Sequence, residues 1–187
     1  MSEALWALGR GTGVIALVMF TVTLVLGVAT RSGRPLPGIG RIGAADVHRT
    51  AALTGTGLVI AHLSTLLFDP FAQLRVVDFF LPFLGSYRPV WLGLGTLAVD
   101  LLAVITVVSL LRHRVGPRVF RAVHWATYAL WPISLLHALG NGSDSGSTWF
   151  RLVAGVCVAA VATAVGWRLL PSYDERGWHR TPRKVSA

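Results

Sequence analysis

The chain is poor in acid and almost without cysteine. Its 187 residues include 8 Asp and Glu against 17 Lys and Arg, one cysteine and two methionines, and charged residues of either sign make up only 13%. The lone Cys157 excludes an intrachain disulfide and, inside an apolar run, reads as a small core or lipid-facing residue. The low charge excludes an ordinary soluble surface, since 53% of residues are hydrophobic and the mean hydropathy is +0.63. The net charge of +9 does not indicate nucleic-acid binding, because the arginines sit between apolar segments rather than on one face of a soluble fold. These are the marks of a membrane protein, with no residues to spare for a second folded domain. Glu3 precedes the first arginine and no small-residue cleavage site follows a short apolar core, so the first helix is expected to remain rather than leave as a signal peptide.

What is present is a series of long apolar runs. A hydrocarbon core of about 30 Å takes roughly 20 helical residues, and five segments qualify, near 11–30, 48–68, 90–111, 119–140 and 149–170. Breakers or charges separate them: Arg31 to Pro37, Asp69 and Pro70, Arg112 to Pro117, and GNGSDSGS. The stretch 76–87, VVDFFLPFLGSY, is too short to span, carries Asp78 and Pro82, and reads as an interfacial cap on the outer side. The predicted fold is an all-α, polytopic bundle of five transmembrane helices.

Arginine bias orients the bundle. Arg31, Arg34 and Arg41 mark one connection, Arg112, Arg114 and Arg118 another, and Arg176, Arg180, Arg183 and Lys184 the tail, all on the cytoplasmic side. The connection with Asp69, Arg75, Asp78 and Arg88, and the NGSDSGS loop, then fall outside. Five crossings place the N-terminus outside and the C-terminus inside an inner (plasma) membrane.

Four histidines lie in spaced pairs in the second and fourth segments. His48 and His62 are 14 residues apart, about 21 Å of rise and only about 40° out of phase on an ideal helix. His124 and His137 are 13 apart, about 19.5 Å of rise but about 140° out of phase. Pro132 lies between them, so a local distortion is expected near Tyr128 to Pro132. Both helices run outward, which sets His48 with His124 near the cytoplasm and His62 with His137 near the outer face. Neutral imidazole suits haem iron, one nitrogen ligating while the other donates to an acceptor that fixes the ring. Two axial histidines close the coordination sphere and favour electron transfer. The competing reading is that some are core histidines with ordinary hydrogen-bond partners. His113 and His179 have no such pairing and read as solvated.

This spacing, together with DFFLPFLGSYRPVWLGLGTLAVDLL and RAVHWATYALWPISLLHALGNGSDS, resembles the ferric reductase transmembrane domain shared by ferric reductases, NADPH oxidases and the haem-binding subunit of the periplasmic methionine sulfoxide reductase. The likeness covers residues 11 to 170, and the two stretches are similar to small actinobacterial members of the superfamily. It implies a cytochrome b with two b-type haems, the inner between His48 and His124 and the outer between His62 and His137. Larger members of that family carry six helices and a cytoplasmic flavin and nicotinamide module. Here 17 residues follow position 170, without a Gly-rich nucleotide loop. Electrons would come from a separate cytoplasmic flavoprotein reductase, which alone would supply flavin, or from quinol, and pass to an acceptor such as an extracytoplasmic protein. A non-redox transporter or assembly partner with structural histidines is the alternative.

Other residues carry weaker signals. Asp100, mid-way along the third segment, reads either as a proton or haem-associated group or as a structural hydrogen-bonding residue. Arg49 and Arg121 flank the inner histidines and could pair with haem propionates, whereas Arg118 fits orientation by charge. Arg88 and Arg151 are outer candidates for the same role or for an anionic acceptor. Trp125, Tyr128, Leu130 and Trp131 occupy the interval between haem depths, as a relay or as packing, while Trp91 and Trp149 fit interfacial belts. GNGSDSGS is a docking rim or a plain turn, and Gly93 and Gly95 allow close approach of a helix or porphyrin.

Overall fold

A computed structural model of the chain describes residues 2–32, 40–69, 74–171 and 173. They form six α-helices: α1 (Ser2–Arg31), α2 (Arg41–Leu67), α3 (Pro89–Leu110), α4 (Arg112–Trp125), α5 (Thr127–Asn141) and α6 (Thr148–Leu169), with a 3-10 turn at Val76–Phe79. No β-strand occurs among the described residues. Glu3–Arg31, Ile42–Leu67, Pro89–Leu110 and Thr148–Leu169 are each long and apolar enough to cross a bilayer, which makes this a multi-pass membrane protein. His179 and the basic residues Arg34, Arg176, Arg180, Arg183 and Lys184 lie outside the described residues.

The expected fifth span, 119–140, is not one helix but α4 and α5, of 14 and 15 residues. Two local causes shape it. Gly116 takes φ 78 and ψ 159, a conformation only glycine adopts cheaply, and the helix restarts at Pro117, whose fixed φ suits a first turn. The second break lies at Ala126, not in the Tyr128 to Pro132 interval where proline predicted it. There the Thr127 hydroxyl donates to the His124 carbonyl at 2.8 Å, and Ala126 and Ala129 bond three residues back, at 2.9 and 3.0 Å. Three-residue turns add about 20° per residue over the α-helix, so the tightening reduces the phase gap between His124 and His137.

α1 is the centre, packed against α2, α5 and α6, and α3 packs on α5 and α4. On α6, Phe150, Ala154, Cys157, Val161 and Ala164 repeat at alternating four- and three-residue steps and bury against Leu17, Leu24 and Val28 of α1 and Trp131 and Leu135 of α5. Cys157 is therefore a core residue. Trp131 donates its indole N–H to Thr21 Oγ1 at 2.8 Å in this core. Ala98, Leu102 and Ile105 of α3 enclose Leu130. Outward-facing apolar side chains such as Ile60, Val104, Leu152 and Val156 suit a lipid surround.

The 76–87 segment is tied to α3. The buried Asp78 carboxylate accepts from the Arg75 backbone N–H at 3.0 Å and its guanidinium at 2.9 Å, while Thr96 Oγ1 donates to the Asp78 carbonyl at 2.7 Å. Phe83, at φ 69, lays its ring where Gly93 has no Cβ, so the expected close approach at Gly93 is to this cap. Val76, Phe80, Leu81, Leu84 and Tyr87 stay exposed, as an interfacial segment requires. Hydrogen bonds from Arg75 hold the Asp78 carboxyl below the usual carboxylate value. A lowered folded-state pKa contributes stability that is present at neutral pH and lost as pH falls through that lowered value. Proteolysis of this loop in detergent is expected to stay slow down to about pH 4, the ordinary Asp range, and to rise below it; Asp78→Asn is expected to be cut readily at every pH.

Candidate functional site

The histidine pairs are built by an antiparallel ladder between α1 and α2. His62 packs on Gly13, Gly55 on Phe20, and His48 on Gly27, each rung seven residues from the next on both helices. The His62 ring comes within 3.1 Å of where a Gly13 Cβ would lie, and the His48 ring within 3.2 Å of that of Gly27. Each imidazole thereby reaches a backbone carbonyl one turn back along α1. His62 Nδ1 bonds the Gly9 carbonyl at 2.7 Å and His48 Nδ1 the Thr23 carbonyl at 2.9 Å. The same device recurs between α3 and α5, where His137 Nδ1 bonds the Trp91 carbonyl at 2.8 Å across Gly95. In all three cases the glycine lies four residues after the acceptor. A carbonyl only accepts, so Nδ1 carries the proton and Nε2 presents its lone pair.

His124 differs. Its Nδ1 is buried without a hydrogen-bond partner among the described residues, and the Phe120 ring stacks on it at 5.1 Å. α3 has no glycine inward of Gly95, its inner part reading TLAVDLLAVITVVSL, so no carbonyl there is left open by a missing side chain.

The fold brings His48 and His124 together, with ring centroids 6.2 Å apart and planes at 64°. That spacing would let both rings reach one metal centre between them, since a ligating imidazole nitrogen lies about 2.0 Å from its metal. His62 and His137 are within electrostatic reach of each other. Among the described residues α2 packs on α1 but makes no comparable contact with α4 or α5, so the histidine-bearing helices are not closed against one another. Among the described residues no three His, Cys, Asp or Glu converge as for a bare metal ion. Paired imidazoles, three of them with Nε2 left open by their Nδ1 bonds, fit a planar macrocycle that supplies its own equatorial nitrogens.

Asp100 is half-buried and makes no hydrogen bond or ion pair among the described residues; the histidines take backbone carbonyls instead. Arg49 and Arg118 are exposed, and the exposed Arg121 donates to the Pro117 carbonyl at 3.2 Å. Arg31, expected only as a topology signal, lies at the end of α1 within electrostatic reach of His124. Outside, Arg88 donates to the Gly140 carbonyl at 2.9 Å and Arg151 to that of Ser145 at 3.2 Å. Arg10, also unforeseen, pairs with Asp144 of the GNGSDSGS loop at 2.7 Å. Trp125 and Tyr128 stack at 5.3 Å beside the α4–α5 break, where Arg168 of α6 bonds the Tyr128 hydroxyl and lies 4.5 Å over Trp125. Trp131 faces the α1–α6 core, whereas Phe20 lies half-way between the two histidine levels. His113 is exposed, as expected.

The family description "Ferric reductase like transmembrane component" matches residues 12–135. The chain belongs to this family. The match takes in His48, His62, His124, Gly13, Gly27 and Gly95, and ends two residues before His137. No match was found among curated proteins or among solved structures. Ferric reductase-like transmembrane domains generally bind haem, and membership points to electron transfer across the membrane.

Proposed function

We propose that the chain carries electrons across the membrane between two b-type haems, the inner held by His48 and His124 and the outer by His62 and His137. The observation that carries this reading is the imidazole geometry: three Nδ1 atoms are bonded to helix carbonyls, leaving Nε2 for iron, and the inner pair stands 6.2 Å apart. Haem supplies reversible one-electron chemistry, and two axial imidazoles leave no open position for a substrate at iron. The protein's own part is to hold the rings in one tautomer, set the two levels about 21 Å apart along α2, and surround the path with apolar side chains.

On this reading α4 and α5 together make a fifth crossing, with the N-terminus outside and the C-terminus inside the plasma membrane. The chain is then the haem subunit of a reductase whose donor is a separate cytoplasmic flavoprotein or quinol. Its acceptor meets the outer rim formed by GNGSDSGS, Arg10, Arg88 and Arg151. Protein purified after expression with haem supply is expected to show a b-type Soret and alpha band on reduction. Absence of any reducible haem band refutes the proposal, and reduction by quinol or by a flavin reductase identifies the donor class.

A further inference from the structure

We infer that the two histidine pairs are electronically unequal, the cytoplasmic pair holding the more oxidising haem because His124 lacks the carbonyl that the other three imidazoles use. The inference rests on the haem reading above. An Nδ1–H bonded to a carbonyl gives its ring more imidazolate character and stronger donation through Nε2, which favours ferric over ferrous iron. His62 and His137 both have that bond, to the carbonyls of Gly9 and Trp91, while His48 has it, to Thr23, and His124 does not.

The inequality is written into the helices. α1 supplies glycine opposite both histidines of α2, and α3 supplies Gly95 opposite His137, but α3 offers only residues with a Cβ further inward. Phe120 stacks on His124 instead. An electron on the isolated chain therefore rests on the cytoplasmic side, held back from the outer rim until an acceptor draws it across.

A spectroelectrochemical titration of the purified wild-type protein tests this. Two one-electron waves are expected, apart by at least about tenfold in reduction equilibrium, which is about 59 mV. Gly27→Ala, which presses on His48, is expected to move only the more positive wave, further positive. Gly13→Ala, which presses on His62, is expected to move only the more negative one. A single wave, or the opposite assignment, overturns the inference while leaving the haem reading intact. Loss of haem in these variants is covered by a measurement on the wild type: proton NMR of the imidazole Nδ1–H groups should show three shifted by a hydrogen bond to a carbonyl and one without such a bond. Four hydrogen-bonded Nδ1 protons overturn the inference, whereas a protein with no reducible haem overturns the reading beneath it.

Discussion

His62→Ala is expected to remove roughly half of the reducible haem absorbance, and His137→Ala the same half, because each takes one axial ligand from the same site. Alanine leaves no donor at that position, and the other histidine alone faces a gap the helices cannot close. α1 and α3 hold His62 and His137 through the Gly9 and Trp91 carbonyls, so neither ring is free to follow the iron. His48→Ala and His124→Ala should remove the other half. Double variants give the sharper result, since changes within one site act as a unit and changes in separate sites add. His62→Ala with His137→Ala should lose no more haem than either alone, while His62→Ala with His48→Ala should lose nearly all. The measurement is pyridine haemochrome per chain on detergent-purified protein. A within-pair double variant that loses haem from both sites would show that the pairing is wrong.

Much of this site is legible in the sequence, and what escaped has physical causes. The 14-residue interval from His48 to His62 sets rise and phase on one straight helix, so the two levels follow from helix geometry. The 13-residue interval from His124 to His137 signalled distortion, but proline was the wrong guide to its place. The helix absorbs Pro132, and the tightening falls at Ala126, where a threonine hydroxyl takes the carbonyl of His124. Asp100 attracted notice as a carboxylate in an apolar run, yet the acceptors used are main-chain oxygens, which have no sequence signature. Gly13 and Gly27 carry no signal taken singly, because a glycine in an apolar helix says nothing until its partner is known. A signal was nonetheless there: Gly13, Phe20 and Gly27 repeat at the same seven-residue step as His62, Gly55 and His48, read in the opposite direction. The arginines were the least informative, since positive charge near an inner end serves topology whether or not it meets a propionate.

Gly95→Val is the substitution expected to act most strongly without touching a ligand. A Cβ at Gly95 would lie 2.5 Å from Cε1 and 2.6 Å from Nδ1 of His137, closer than real contacts allow. The ring has no route of retreat that keeps its function. Moving it outward breaks the 2.8 Å bond to the Trp91 carbonyl, and Trp91 in turn lies against Gly140 on the helix that carries His137. Overpacking of this kind costs typically about 1–3 kcal/mol, and here it is concentrated on the one ring whose direction matters. The variant should therefore lose the outer haem about as completely as His137→Ala while keeping the inner one. Gly155→Val on α6 is the matched control, because nothing lies within 4 Å of a Cβ there and the site faces outward, so full haem content is expected. Gly13 and Gly27, with nearest contacts of 3.1 and 3.2 Å, should tolerate alanine with smaller losses. Haem retention should thus fall in the order of these distances. If Gly95→Val kept both haems, the glycine would be incidental, and the close approach of α3 to the His137 ring would not be what directs it.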